Sequence, residues 1–513
     1  MPHARPAVTA PHPTATDLSP HRRWAAVAVL MLGAAIALLD TTIVNVALPT
    51  IRSSLQAPEA TLQWIISGYA LAYGLALIPA GRVGDRVGHR WVYLAGIAGF
   101  TLASWWCAQA GGPTELVVAR VAQGLCGGIF FPAVGATIQV LFTGRDRGRA
   151  FGALGAVIGV ASAAGPLVGG VLIEQGASDD AWRSIFYVNL PFGALAVLGA
   201  LLLLPRGAAR RPAGPQAGEQ AGARAGEQAG AQAPGGTDLG GLVLLTAALV
   251  ALLVPLIQGE GSGWPPWTWL SLAGGAALLA AFGAFEVGVA RRGRVSPLVP
   301  PRLFSHRAFT GGVVLALVYF AAFTSIFFTI SILWQTGLGH SALESGLVSI
   351  PFALGSIVSA AQSARLAERL GRGVLVLGAG MVAAGLVSLW LLLAVLDPPS
   401  LTHWTLLPSL AVAGLGSGMF IAPNQQFIVA TVDPEEAGAA AGVIGTAQRI
   451  GSAAGIAVIG SVLFGSLTVA SGSPADLAAG FGHAAAMAMA VSAAFSVAAF
   501  ALVFALPRRP RRG

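Results

Sequence analysis

The chain has 513 residues, 55% of them hydrophobic and only 10% charged, with a formal net charge of +8. Soluble domains average about 25% charged residues, so this composition excludes an ordinary soluble protein. All 29 basic residues are arginine, and they sit mostly in short segments between apolar runs, which argues against a nucleic-acid-binding surface.

The apolar runs are continuous stretches of ~20 residues rather than ~10-residue alternating ones, so they predict membrane helices and not barrel strands. Fourteen are expected, at 24–48, 60–80, 91–110, 114–141, 150–173, 185–204, 239–257, 267–290, 308–334, 343–364, 373–396, 404–430, 438–466 and 483–506. Residues 1–23 are rich in Pro, Thr and His and lack a signal-peptide pattern, so they read as a cytoplasmic tail and the first span as retained. With the N-terminus inside, twenty-five arginines fall on the cytoplasmic side, only Arg52 and Arg183 fall outside, and Arg120 and Arg449 fall within spans. The positive-inside rule then puts both termini in the cytoplasm.

The first span carries Asp40. At ~1.5 Å per residue it lies about 24 Å from Trp24, where the run starts. Pro49 closes the run soon after. A charged carboxylate at that depth costs roughly 2.5–3.5 kcal/mol on insertion scales. An acid that carries this cost gains from taking up a proton, which makes it a natural proton carrier. The other reading is a buried Asp satisfied by a neighbouring helix, an end that an Asn would serve with less penalty.

After the second span comes "GRVGDRVGHR" (81–90). Gly81, Gly84 and Gly88 permit a tight turn. Asp85, flanked by Arg82, Arg86 and Arg90, can make charge-assisted hydrogen bonds that break when helices rearrange. The fourth span holds Arg120, a guanidinium that does not deprotonate. It needs an acceptor: Asp40 is the available carboxylate at its depth, and backbone carbonyls are the alternative. An arginine beside Asp40 favours the charged form while burial favours the neutral one, and a switchable site needs such opposed effects. In the fifth span Gly159, Gly165, Gly169 and Gly170, spaced for close helix approach, surround Pro166, which removes a backbone hydrogen bond and bends the helix.

The six spans of 24–205 end at a small, polar, Pro/Gly-punctuated linker, 206–238. Two further spans, 239–290, and a cytoplasmic loop, 291–307, precede the remaining six, 308–506, and a basic tail, 507–513. "ARLAERLGRG" (364–373), after the tenth span, repeats the pattern of 81–90. That spacing pairs spans 1–6 with 9–14 and leaves spans 7 and 8 as an accessory insert outside the transport path. Asn45, Gln63, Tyr69, Tyr73, Phe327, Asn424, Gln425 and Gln448 are the candidates to line a largely apolar cavity. Arg449 has no evident acid partner.

"GRVGDRVGHR", "ARVAQGLCGG" (119–128) and "GVASAAGPLVGGVL" (159–172) resemble the loop, fourth-helix and fifth-helix motifs of the major facilitator superfamily. "LLDTTIVNVALP" (38–49), "WRSIFYVNLPFG" (182–193) and "AGVIGTAQRIGSAAGIAVIG" (441–460) narrow the likeness to its fourteen-helix drug:proton antiporters. The resemblance implies an all-α integral membrane protein with two six-helix bundles and two inserted helices. It also implies a cytoplasmic gate latched at Asp85 and an antiporter motif on the fifth helix. Its function would be proton-coupled efflux of lipophilic or weakly cationic drugs across a bacterial cytoplasmic membrane, with Asp40 and Arg120 in proton coupling. The partners implied are protons, a small lipophilic or cationic substrate and the lipid bilayer, with no nucleic acid, no cofactor and no metal, and a monomer suffices. Dedicated export of an endogenous metabolite such as an antibiotic, siderophore or amphipathic lipid is the alternative. Some multidrug members carry extra acids in the tenth or thirteenth span. Here Glu344 stands only at the outer start of the tenth and the thirteenth has none, which argues against divalent cations. No nucleophile–base pair, His-rich metal pattern or phosphate-binding loop supports an enzyme or an ATP-driven pump.

Overall fold

A computed structural model describes residues 19–175, 180–205, 238–259, 261–292, 295–430, 432–433, 436–468 and 473–507. The linker expected at 206–238, apart from Asp238, and most of both tails lie outside the described residues. Every regular element described is helical. Thirteen helices are long and apolar enough to span a bilayer, and a fourteenth span is bent.

In chain order the spans are α1 (Pro20–Leu55), α2 (Glu59–Val87), α3 (His89–Gln109), α4 (Pro113–Leu141) and α5 (Gly144–Glu174). Next come α6 (Ala181–Leu203), α7 (Leu239–Gln258) and α8 (Pro266–Arg292). Then follow α9 (Arg307–Ile332), α10 (Ala342–Val348 continued by Ile350–Leu370) and α11 (Gly373–Val395). The last are α12 (His403–Val429), α13 (Ala437–Gly465) and α14 (Pro474–Val503). Long Leu-, Ala- and Val-rich stretches make these helices, since only a helix satisfies its own backbone in lipid. The large apolar side chains left exposed on them, Leu102, Trp105, Leu270, Val395 and Trp404 among others, form the bilayer-facing surface.

Several boundaries differ from the sequence expectation: α5 starts at Gly144 rather than 150, α10 runs to Leu370 rather than 364, and α14 starts at Pro474 rather than 483; two more bear on the site. α1 runs on through Pro49 to Leu55, where Gln56 at φ 51 ends it. A proline removes one hydrogen bond but does not stop a helix whose neighbours keep it in place. α2 likewise continues to Val87, so the segment expected as a glycine turn is mostly helix. Gly88 alone, at φ 98, makes the reversal into α3. α5 bends by 43° between its parts Gly144–Ala161 and Ala164–Glu174. The break lies within one turn before Pro166, where that residue's missing N–H leaves a carbonyl unpaired.

The packing repeats along the chain. α2 packs on α4, α3 on α4 and α6, and α1 on α5 and α6; the same pairs recur as α10 on α12, α11 on α12 and α14, and α9 on α13 and α14. The two six-helix bundles meet along α2–α13 and α5–α10, with α4 also against α13 and α5 against α12. α7 and α8 pair with each other, and α7 lies against both α2 and α13. The inserted helices thus cover one of the two seams from outside the bundles. Fourteen crossings return the chain to its starting side; we call that side the terminal face.

Candidate functional site: a buried acid–arginine network beside the bundle seam

Asp40 and Arg120 come together. α1 places Asp40, and α4 enters from the opposite face with Arg120 about two turns along. Arg120 Nη1 donates to Asp40 Oδ2 at 2.6 Å, and the residues are 1% and 0% exposed. The guanidinium also donates to Gln123 Oε1 at 2.6 Å and, through Nε, to the Ile65 carbonyl at 3.1 Å. Both acceptors foreseen for Arg120, carboxylate and backbone, are therefore used.

Asp40 takes two more donors on its other oxygen, Gln123 Nε2 at 3.0 Å and Asn189 Nδ2 at 2.9 Å. Asn189 reaches on to Ser104 Oγ at 2.9 Å, and Ser104 donates to the Phe186 carbonyl at 3.0 Å. Gln123, Asn189 and Ser104 were not singled out in the sequence, although two signals pointed to them. Gln123 follows Arg120 by three residues, hence on the same helix face. Asn189 stands inside the 182–193 motif. Three spans, α1, α4 and α6, thus meet on one carboxylate, and α3 joins the network through Ser104. A buried charge survives only when paired and hydrogen-bonded in this way.

Arg120 also lies over the Tyr69 ring, its Cζ 4.1 Å from the centroid. Tyr69 donates to the Ala37 carbonyl at 3.1 Å, and its ring stands 5.9 Å from that of Tyr73. Over Tyr73, at 4.1 Å, sits Arg449 of α13. Two guanidiniums, one inside the first bundle and one on the second, therefore flank a pair of tyrosines.

The expected cavity set separates. Gln425 and Gln448, with Gln139, Phe131 and Phe151, line a cavity of about 30 Å³ between α4, α5, α12 and α13. That volume suits a water, whereas a drug-sized ligand needs ~300–1,000 Å³. Tyr69 and Tyr73 are 1% exposed and belong to the arginine stack instead. Asn424 turns away from the cavity, donating to the Gly312 carbonyl on α9 at 3.3 Å. Phe327 packs edge-on to Phe323 and Phe352, with ring centroids 5.5 and 5.2 Å away. Asn45 is exposed on the far half of α1. The Gln63 side chain lies outside the described residues.

The 81–90 motif is built differently from a turn. Asp85 accepts from the backbone N–H groups of Gly438 at 2.8 Å and Ala439 at 3.0 Å. It is a carboxylate on the positive end of α13, in the other bundle. Gly81 and Gly84 are helical, a correction to the expected turn. A Cβ at Gly81 would strike the Gly438 carbonyl, and one at Gly84 would meet His89 Nδ1 at 2.6 Å. Gly81 lets α2 and α13 meet backbone to backbone, while Gly84 makes room for His89 at the start of α3. Of the flanking arginines, Arg82 stands 4.0 Å from Asp85. Arg90, expected beside Asp85, instead donates to the Leu201 carbonyl at 2.8 Å and to that of Leu204, tying α3 to the end of α6. Arg86 lies in the last turn of α2.

The repeat's acid, Glu368, faces Arg145 at the start of α5 across 3.5 Å, with both side chains about half exposed. Gln139 of α4 reaches the Val429 and Val432 carbonyls at 3.4 Å. The ties at Asp85, Glu368 and Gln139 all cross between the bundles near the terminal face. On α5, Gly165 and Gly169 bear on Thr42 and Ile43 of α1, while Gly159 and Gly170 face Ser356 and Leu343 of α10. The motif around Pro166 thus packs α5 against α1 within its bundle and against α10 across the second seam.

Two six-helix bundles, a water-sized cavity between them and a paired charge inside one bundle define a multi-pass membrane transporter. The family model described as Major Facilitator Superfamily matches residues 30–456 and again 313–513, and the chain belongs to that superfamily. It is 36% identical to the probable actinorhodin transporter of Streptomyces coelicolor, over 89% of this chain and 75% of that one. It is 35% identical to a puromycin resistance protein of Streptomyces alboniger (86% and 82% covered). To a cephamycin export protein of Amycolatopsis lactamdurans it is 34% identical (87% and 85%). Among solved structures the fold is similar to a proton:xylose symporter at TM-score 0.62 and 13% identity, covering 95% and 96%. It is also similar to a human organic anion transporter at TM-score 0.61 and 17% identity, covering 95% and 100%.

Proposed function

We infer that this protein exports lipophilic, antibiotic-like small molecules across a bacterial cytoplasmic membrane in exchange for protons. The export and resistance functions named for its relatives support the direction and the class of cargo. The buried Asp40–Arg120 pair carries the proton reading: its carboxylate's charge bears on three helices at once, α1, α4 and α6. The arginine asymmetry supports the terminal face as cytoplasmic.

In this reading, the charged Asp40 holds Arg120, Gln123 and Asn189 together. Uptake of a proton weakens all three hydrogen bonds, because each is strongest to a carboxylate. α1, α4 and α6 are then free to shift, and the tyrosine pair carries the shift to the α2–α13 seam. Release of Asp85 from the α13 N-terminus opens the cytoplasmic end. Asp40 is sealed in the present conformer, so uptake and release need the bundle to open toward one side at a time. The six-plus-six division with α7 and α8 as an accessory pair belongs to the same proposal, supported by the recurring helix contacts.

The test uses purified protein in proteoliposomes carrying an internal pH dye. Wild type should couple addition of puromycin, or of another substrate found in a susceptibility panel, to proton movement. Asp40→Asn should bind the compound yet move no protons. Coupling of wild-type size in that variant would remove Asp40 from the mechanism.

A further inference from the structure

Arg449 is the one charged group on α13 between Ala437 and Gly465. It lies twelve residues into that helix, about 18 Å from its start at ~1.5 Å per residue, and so near mid-bilayer. An arginine there stays charged and is costly, so it calls for a negative partner. Among the described residues no carboxylate forms an ion pair with it; Asp40, the acid at comparable depth, is taken by Arg120, Gln123 and Asn189. The Tyr73 ring beneath it supplies a cation–π contact, which offsets only part of a desolvated charge. Unlike the sealed Arg120, Arg449 is half-buried, with donors left over. Its neighbour Gln448 lines the cavity, and Tyr73 stands 5.9 Å from Phe131, another lining residue.

We propose that Arg449 is the receptor for an anionic group on the exported molecule, and that the favoured substrates are lipophilic aromatic acids. Once the bundles part, the aromatic body would lie against Phe131 and the Tyr73 face that Arg449 vacates, and its carboxylate or phenolate would accept from the guanidinium. This deepens the efflux reading above and rests on it. A phospholipid phosphate has the same charge but lies at the membrane surface, far from this depth. Occupation of Arg449 would also draw it off Tyr73, which places substrate binding at one end of the stack whose other end is Arg120 and Asp40.

The experiment compares 2-anthracenecarboxylate and 1-hydroxy-2-naphthoate with their methyl esters. Each would be bound to the full-length protein in phospholipid-free detergent and followed by fluorescence anisotropy. Wild type should favour each acid over its ester by roughly tenfold or more, the worth of one charge-assisted hydrogen bond. Arg449→Gln should bring the acids down to the esters, and Arg449→Lys should restore part of the preference. Should Arg449→Gln fail to fold, phenylglyoxal labelling of wild type followed by mass spectrometry gives the answer, because the acids and not the esters should protect Arg449. Equal binding of acid and ester, binding of neither, discrimination that survives Arg449→Gln, or no protection would each overturn the assignment. Everted vesicles separate it from the efflux reading. Uptake of acids and esters alike, untouched by Arg449→Gln, sinks the anion receptor and leaves export standing. Arg449-dependent binding with no uptake of either does the reverse.

Discussion

A single carboxylate, Asp40, takes three side-chain donors from α4 and α6 with no solvent to share the load. Such a group stabilises its helices only while every partner is present. Breaking a buried ion pair by removing one member costs about 3–5 kcal/mol, while replacing both with apolar residues of similar volume is often neutral. Asp40→Leu alone and Arg120→Met alone should therefore each lower the melting temperature sharply, whereas the double variant should recover most of the loss. Fluorescence size-exclusion melts of the four proteins would measure this; additive losses would mean that the pair does not act as a unit. Asn189→Ala tests the outer partner. It leaves Asp40 its other two donors, so the cost should be nearer ~1–3 kcal/mol, with the proton response of transport altered more than the fold.

At the scale of elements, the spans were legible because lipid removes the alternatives: a ~20-residue apolar run has only a helix to form. Their ends were less so. Pro49, and the glycines at 81 and 84, read as stops, yet they fall inside α1 and α2, and at Gly81 and Gly84 the close approach of Gly438 and His89 is the reason a glycine is there. The pairing of Asp40 with Arg120 was legible from depth and charge alone. Asn189 was not, because a lone amide carries no charge to demand a partner, and the partner of Asp85 was invisible because it is backbone, the N–H groups of Gly438 and Ala439. Arg90 misled because sequence proximity to Asp85 suggested a contact, when its helix starts after the Gly88 reversal and turns it toward α6. The close crossing of α2 on α13 gives a direct test. Asp85→Asn keeps the size but weakens acceptance from the two N–H groups, and Gly438→Val adds bulk where Gly81 and Asp85 already stand. Both should raise maleimide labelling of a reporter cysteine at Gln425 from the terminal face, the valine more strongly. Unchanged labelling in both would leave this contact as a passive crossing.

For the whole molecule, closure at the terminal face rests on ties of unequal strength. Asp85 on the α13 N-terminus is buried; its counterpart in the repeat, Glu368 facing Arg145, is about half exposed. Exposed pairs contribute ~0–1 kcal/mol, so the α2–α13 seam should dominate the gate and the α5–α10 seam should act more as the pivot. α7 lies against both helices of that dominant seam, which gives the inserted pair a place to steady it without entering the cavity. If opening at this end is obligatory for export, a covalent strap across it must stop transport. Gln139 and Val432 offer the site, since the Gln139 amide reaches the Val432 carbonyl at 3.4 Å; because that reach spans a whole glutamine side chain, the strap is a cleavable bis-thiosulfonate linker rather than a direct disulfide. In a background with Cys107 and Cys126 replaced by serine, the Gln139→Cys/Val432→Cys protein should lose efflux on treatment with the linker and regain it with reductant, while either single variant should lose far less. Export that persists through full cross-linking, read on a gel from the same vesicles, would show that substrate enters without separating α4 from α12, and alternating access at this face would have to be abandoned.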